Sequence, residues 1–408
     1  MTLKVVREPH EAGFRGEALE RVRAHLDGYV ASRKFPGWLV TVARDGDLVW
    51  VARGGHRDRE QSLEVTDDTI WRLYSMTKPI TAVVALQLYE EGRYDLNDPV
   101  GEWIEEFRDA RVYVSGSDIA PVTEPATEPV RVHHLFTHTS GLTYGFQHLT
   151  PVDTMYRARG YDMTNPSDVD LAHAVLDWSG LPLLFQPGEA WNYSVSIDVL
   201  GRLIERWTGQ TLDVAVRQRV LEPLGMVDTD WYCPPEKLDR LAMLYAARHG
   251  DSVRLDELAG EATRWPALLA GGGGLVSTAA DYQRFLSMLL AGGELDGVRI
   301  LSPRTVALMT RNHLPDNQDL REFARDSFSE VGQAGVGFGL GVSVVIDQVR
   351  NRSYVPAGTF AWGGAASTYF WVDPSEGLTV GLYTQLLPSW TYPVRRQVQQ
   401  LVYAALER

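Results

Sequence analysis

The sequence predicts an α+β chain in which an antiparallel sheet is flanked by helices and a mainly helical domain is nested inside it. Three observations carry that reading. Two β-rich runs near the start are joined by a tight turn, and further β-rich runs lie near the end. An amphipathic helix stands at each terminus, and the middle of the chain is helical and loop-rich.

Taken in order, Ala18, Leu19, Val22, Leu26 and Val30 recur at helical spacing and place a helix over residues 16–32. Residues 38–43 and 48–52 are β-rich, and Arg44-Asp45-Gly46-Asp47 between them carries the Asp-Gly signal of a hairpin. In the middle, residues 198–207 and 212–220 are the clearest helices, and residues 113–129, rich in Ser, Thr, Pro and Gly, read as an exposed loop. Residues 339–346, 368–372 and 378–384 read as strands. A closing helix carries Val394, Val398, Leu401, Val402 and Ala405 on one face. One sheet completed by both halves of the chain gives a discontinuous α/β domain, residues 1–100 and 271–408, around a mainly helical domain, residues 101–270. A cleft between two such domains is a common ligand site. Gly271-Gly272-Gly273-Gly274 has neither a following GK[ST] nor Rossmann spacing, so it reads as a tight backbone passage rather than a phosphate cradle.

Composition narrows the function classes. The 408 residues, 44% apolar and 23% charged, are those of a globular chain able to bury a sizeable core. A formal charge of −14, from 39 basic against 53 acidic residues, argues against nucleic acid or an anionic membrane as a partner. Cys233 is the single cysteine, so no intrachain disulfide forms, and its Trp-Tyr-Cys-Pro-Pro setting reads as packing rather than as a catalytic thiol. The first ten residues lack an apolar signal core, and no run of ~20 apolar residues occurs, so the expected location is the cytoplasm.

Chemistry enters at Ser75-Met76-Thr77-Lys78. Ser-x-x-Lys is short enough to occur by chance, but Pro79 to Tyr89 continue as a helical run with Pro79 in its first turn, where proline is tolerated. A serine and a lysine three apart there share one face, so Nζ can reach Oγ. A serine hydroxyl is a poor nucleophile without a base beside it, and a lysine serves when burial lowers its pKa. The ordinary alternative makes Ser75 a helix cap and Lys78 a solvated residue.

The motifs that follow decide between these. Leu73-Tyr74-Ser75-Met76-Thr77-Lys78, His138-Thr139-Ser140-Gly141-Leu142, Gln186-Pro187-Gly188 and Tyr193-Ser194-Val195 together resemble the penicillin-recognising serine hydrolases, above all class C β-lactamases and family VIII carboxylesterases. Phe360 to Ala365, leading into Phe370 to Pro374, is similar to the esterase branch. The resemblance covers residues 15–405 and implies the β-lactamase/transpeptidase-like fold. It implies that Ser75 is the nucleophile, with Lys78 and Tyr193 shuttling its proton. Tyr193 takes the place of the tyrosine in the family's Tyr-x-Asn motif. Trp362-Gly363-Gly364 falls where the lactamases carry Lys-Thr-Gly, and the backbone N–H groups of Ser75 and Ala365 are expected to form the oxyanion hole.

Two departures bear on substrate. Trp362 replaces a lysine that would pair with a carboxylate, and Val195 replaces an asparagine that would bond an acylamino side chain. With Val195, Trp362, Gly363 and Gly364 as substrate-binding residues, the expected activity is hydrolysis of short-chain carboxylic esters, a carboxylesterase acting on small molecules with no metal and no cofactor. β-Lactamase, D-amino-acid peptidase or acyltransferase activity on the same scaffold is the alternative, and a non-catalytic binding module of this fold is another. His133, His134 and His138 lack further metal ligands and read as structural. No Gly-x-Ser-x-Gly elbow supports a Ser-His-Asp triad, and Glu105-Glu106 reads as solvated surface.

Overall fold

The computed structural model describes residues 3–325 and 333–407; the expected α/β domain also includes residues 1, 2, 326–332 and 408, which lie outside the described residues. Among the described residues the main sheet has eight strands. From one edge they are Val336–Phe338, Ser343–Val345, Phe360–Gly363, Tyr369–Asp373, Leu378–Tyr383, Gly37–Arg44, Asp47–Asp58 and Leu63–Glu64. Every pairing is antiparallel. The two halves of the chain meet where Gly37–Arg44 pairs with Leu378–Tyr383, Leu39 opposite Tyr383. Asp45 and Gly46 turn the first hairpin with φ of 56° and 89°, the left-handed pair that a two-residue turn needs.

Both faces of the sheet are covered, which is why its strands read as nearly continuous apolar runs. On one face the helices Gly16–Ala31 and Val394–Tyr403 pack Leu19, Val22, Leu26, Val394 and Val398 against Val40, Val42, Trp371, Val380 and Leu382. The alternate residues, Leu39, Phe370, Val372 and Tyr383, face the larger core with Tyr282 and Phe285 of the helix Ala279–Leu290. The helix Thr77–Glu90 runs through that larger core and is buried along most of its length. This burial puts Lys78, in its first turn, in an apolar setting.

Three elements differ from their sequence expectation. Residues 111–116 and 121–125 form an exposed hairpin where a loop is expected over 113–129. Only Val112 in it is fully buried, so its strands lack the alternation that would mark them. Residues 339–346 are not one strand. Gly341 adopts φ 89° and donates its N–H to Phe136, the ladder resumes at Ser343–Val345, and Val336–Phe338 supplies the edge strand. The helix expected over 212–220 is α-helical for Leu212–Val216 and continues as a π-turn over Arg217–Leu221. Among the described residues, no helix is long and apolar enough to cross a membrane.

Candidate active site

Ser75 sits in a 3-10 turn, Tyr74–Met76, wedged between the strand Ile70–Arg72 and the helix Thr77–Glu90. Tyr74 takes φ 46°, a left-handed conformation costly for a tyrosine, so the surrounding structure must over-determine it. It does. Ile70–Arg72 pairs with Val276–Thr278, Leu73 N–H donates to Leu275, and the Leu275 N–H donates to Thr77 Oγ1. From the other side Thr368 Oγ1 donates to the Leu73 carbonyl at 3.3 Å. Gly364 presses on that same carbonyl, and a Cβ at Gly364 would overlap both the carbonyl oxygen and Thr368 Oγ1.

Three sequence-predicted residues meet at one point. Tyr193 Oη donates to Ser75 Oγ at 2.5 Å and Lys78 Nζ donates to it at 3.2 Å. Lys78 Nζ also donates to the Gly272 carbonyl at 2.6 Å and lies 4.5 Å from the centre of the Tyr193 ring. Lys78 is 1% exposed. Burial pushes its amine down to about 7, against the opposing pull of the Asp198 carboxylate. The four-glycine run is thus a tight passage laid against the lysine: Gly271 and Gly272 accept from Thr81 Oγ1 and Lys78 Nζ, and a Cβ on Gly272 would stand 2.6 Å from Asp198 Oδ2.

The histidine turn holds the tyrosine. His138, at φ 56°, accepts the Asn192 N–H on its carbonyl, and Asn192 Nδ2 donates to Leu142. The hydroxyls of Ser140, Ser194 and Ser196 link the two segments at 2.7–2.8 Å. The His138 ring packs 4.9 Å from that of Tyr193, and burial holds its pKa well below the usual imidazole value, with the Lys78 charge adding to this. It is a neutral packing group. Trp191 and Trp362 complete the aromatic setting of Tyr193 at 6.1 and 5.6 Å. Of the other histidines, His133 Nε2 meets His313 Nδ1 at 3.2 Å, and His134 Nδ1 accepts the Arg131 N–H. Cys233 is buried, and desolvation pushes its thiol up to about 11.

Ser75, Tyr193, Val195, Trp362, Gly363, Gly364 and Ala365 all line one cavity of about 690 Å³. Tyr144, Phe146, Trp178, Trp231 and Trp390 give its walls an aromatic character, but Arg72, Glu261, Arg395 and Arg396 also reach it. Arg395 Nη2 donates to the carbonyls of Gly364 and Thr368 at 2.7 and 2.9 Å, which pins the end of the Phe360–Gly363 strand. Ala365 follows that strand in a turn closed by the Ser367 N–H on the Gly364 carbonyl. Asp198 and Tyr144 are members of this site that the sequence does not single out, and Gly272, read there only as part of a tight passage, joins them. The one signal for Asp198 is an acid between Ile197 and Val199, which also reads as an ordinary first-turn helix residue.

A buried Ser-Lys-Tyr cluster beside a cleft, on an antiparallel sheet with helices on both faces, defines a serine-hydrolase type of protein. The beta-lactamase family model matches residues 22–404, and the chain belongs to that family. It is 36% identical over 374 residues to an uncharacterized protein of Mycobacterium tuberculosis, covering 89% of this chain and 91% of that one. With Esterase EstB of Burkholderia gladioli it shares 32% identity over 408 residues, 94% of this chain and 95% of the esterase. Among solved structures, EstCE1, described as a hydrolase with promiscuous acyltransferase activity, superposes with a TM-score of 0.81 at 26% identity. That match covers 95% of this chain and 99% of EstCE1. The chain is therefore a member of the beta-lactamase family with the β-lactamase/transpeptidase-like fold.

Proposed function

We propose that the protein is a carboxylesterase that cleaves short-chain esters through an acyl-enzyme on Ser75. The observation that carries the reading is the convergence of Tyr193 Oη and Lys78 Nζ on Ser75 Oγ at 2.5 and 3.2 Å in the lining of an aromatic-walled cavity. With one proton fewer than phenol plus ammonium, the Lys78–Tyr193 pair offers a base to the serine. Ser75 Oγ attacks the ester carbonyl while its proton passes to Tyr193 Oη, whose own proton rests on Lys78 Nζ. The oxyanion is held by the N–H groups of Ser75 and Ala365, donors that in comparable sites are worth about 3–4 kcal/mol each. Tyr193 then protonates the departing alcohol. In the second half it takes a proton from water, which attacks the acyl carbonyl, and returns it to Ser75 as the acid leaves.

Val195 and Trp362 favour esters over lactams, because neither supplies the amide or ammonium that an acylamino lactam would engage. Acyl transfer to an added alcohol is the second reading. A cavity of about 690 Å³ leaves room for an acceptor bulkier than water, and EstCE1 is described as having that activity. The test is Ser75→Ala with p-nitrophenyl butyrate. The variant should fold as the wild type does, hydrolyse at the background rate, and escape labelling by an organophosphonate. Wild-type turnover by this variant overturns the assignment, and nitrocefin turnover above ester turnover in the wild type overturns the ester preference.

A further inference from the structure

We propose that Asp198 is a positioning residue for Lys78: its carboxylate fixes the Gly272 segment to which the amine is anchored and supplies the negative charge that the buried amine faces. The inference rests on the reading of Ser75, Lys78 and Tyr193 given above and concerns how that reading is enforced.

Asp198 is 4% exposed and lies in the first turn of the helix Ser196–Thr208, five positions after Tyr193. The segment that delivers the tyrosine thus also delivers the acid. Asp198 Oδ1 accepts the Gly272 N–H at 2.8 Å, and the Gly272 carbonyl accepts Lys78 Nζ at 2.6 Å, so one glycine is clamped between acid and amine. The Tyr144 hydroxyl also bonds the Asp198 carboxyl, and the Tyr144 ring lies 5.5 Å from Lys78 Nζ. A side chain at 272 would overlap this arrangement, its Cβ 2.6 Å from Asp198 Oδ2 and 3.0 Å from Tyr144 Oη. Only glycine admits the approach.

The charge has a definite sign of effect. Lys78 is faced by the Tyr193 and Tyr144 rings, by Asp198 and, behind Tyr193, by His138. His138 is held neutral by burial and Tyr144 is held as a phenol, so the fixed charge acting on the amine is that of Asp198. Burial raises the Asp198 carboxyl above the ordinary carboxylate value, and Lys78, the Gly272 N–H and the Tyr144 hydroxyl oppose that rise by favouring the carboxylate. An anion there raises the proton affinity of Lys78. It keeps a proton available to the Lys78–Tyr193 pair that burial would otherwise strip away.

The decisive variant is Asp198→Asn, because an amide oxygen can still accept the Gly272 N–H while the charge is lost. The measurement is the pH dependence of both kcat/KM and the rate of Ser75 phosphonylation. The acid limb of each should move to lower pH by about one unit, with the plateau kcat and KM little changed because the Gly272 anchor of the lysine is kept. Profiles that superimpose on wild type, while Ser75→Ala is inactive, overturn this inference and leave the nucleophile assignment standing. An active Ser75→Ala overturns the nucleophile assignment itself. Should Asp198→Asn be recovered unfolded, Asp198→Glu decides. It keeps the charge and displaces the carboxylate, so an unmoved acid limb with reduced kcat supports the role, and wild-type kcat overturns it.

Discussion

The Tyr193 hydroxyl donates to Ser75 Oγ at 2.5 Å across 118 residues of sequence. Nothing local brings them together. The serine is delivered by a turn stapled on both sides by strands, and the tyrosine by a segment bonded to the turn at His138. Tyr193→Phe keeps the ring and its contacts with Trp191, Trp362 and His138 and deletes only the hydroxyl. The variant should fold with an unchanged Tm and lose about 10²–10⁴-fold in kcat on p-nitrophenyl butyrate, the range for losing a positioned acid-base group. A kcat within twofold of wild type rules out proton transfer through this residue.

The acid limb of the wild-type profile should follow Lys78. Burial lowers its amine to about 7, so below that pH the Lys78–Tyr193 pair is fully protonated and offers Ser75 no base. kcat/KM should therefore rise with pH through about 7 and level off above about 8. His138 does not titrate in this window, because burial holds it well below the usual imidazole range. Lys78→Met should lower kcat/KM at least ~10²-fold and abolish that limb. A midpoint near the carboxylate range, retained in Lys78→Met, would assign the limb to another group.

How much of this was legible depends on how local each signal is. Ser75 and Lys78 lie within one turn, so the geometry that joins them follows from sequence spacing alone. Tyr193 and the strand Phe360–Gly363 were found through the order of motifs resembling a family, and the structure brings both to the cavity that Ser75 lines. Asp198 carries no such mark. An acid in a helix's first turn is what the helix dipole favours anyway, and only the approach of Gly272 makes it part of the site. The hairpin over 111–125 was missed for a related reason. Its strands are exposed, with Val112 alone fully buried, and their Pro, Ser and Thr content is that of a loop.

Cys233 provides a test that separates the serine from the single thiol. It is buried, and desolvation pushes its thiol up to about 11, so the reactive thiolate is scarce at neutral pH. A thiol-specific reagent at about pH 7.5, well below that value, should leave the native protein unlabelled and fully active, and should label it stoichiometrically once denatured. An organophosphonate should do the reverse, inactivating the folded protein at Ser75. Inactivation by the thiol reagent in the folded state would reopen a role for Cys233.

The contact between Gly364 and the Leu73 carbonyl yields the sharpest structural prediction. This carbonyl accepts the Met76 N–H that closes the Ser75 turn, and Thr368 Oγ1 bonds it from the strand side. A methyl group at 364 would overlap both the carbonyl oxygen and the threonine hydroxyl. Backbone and a pinned hydroxyl cannot yield as a flexible side chain would, so the strand end carrying Ala365 must move away from the turn carrying Ser75. Gly364→Ala should therefore cost about 1–3 kcal/mol of stability, the range for overpacking. It should also lower kcat by about 10–100-fold through misplacement of the two backbone donors. Gly16→Ala is the control. Gly16 opens the first long helix with no atom within 4 Å of the added carbon, so Tm should hold or rise slightly and activity should not change. Equal effects of the two substitutions, or wild-type kcat in Gly364→Ala, would show that the strand end can shift without disturbing the chemistry at Ser75.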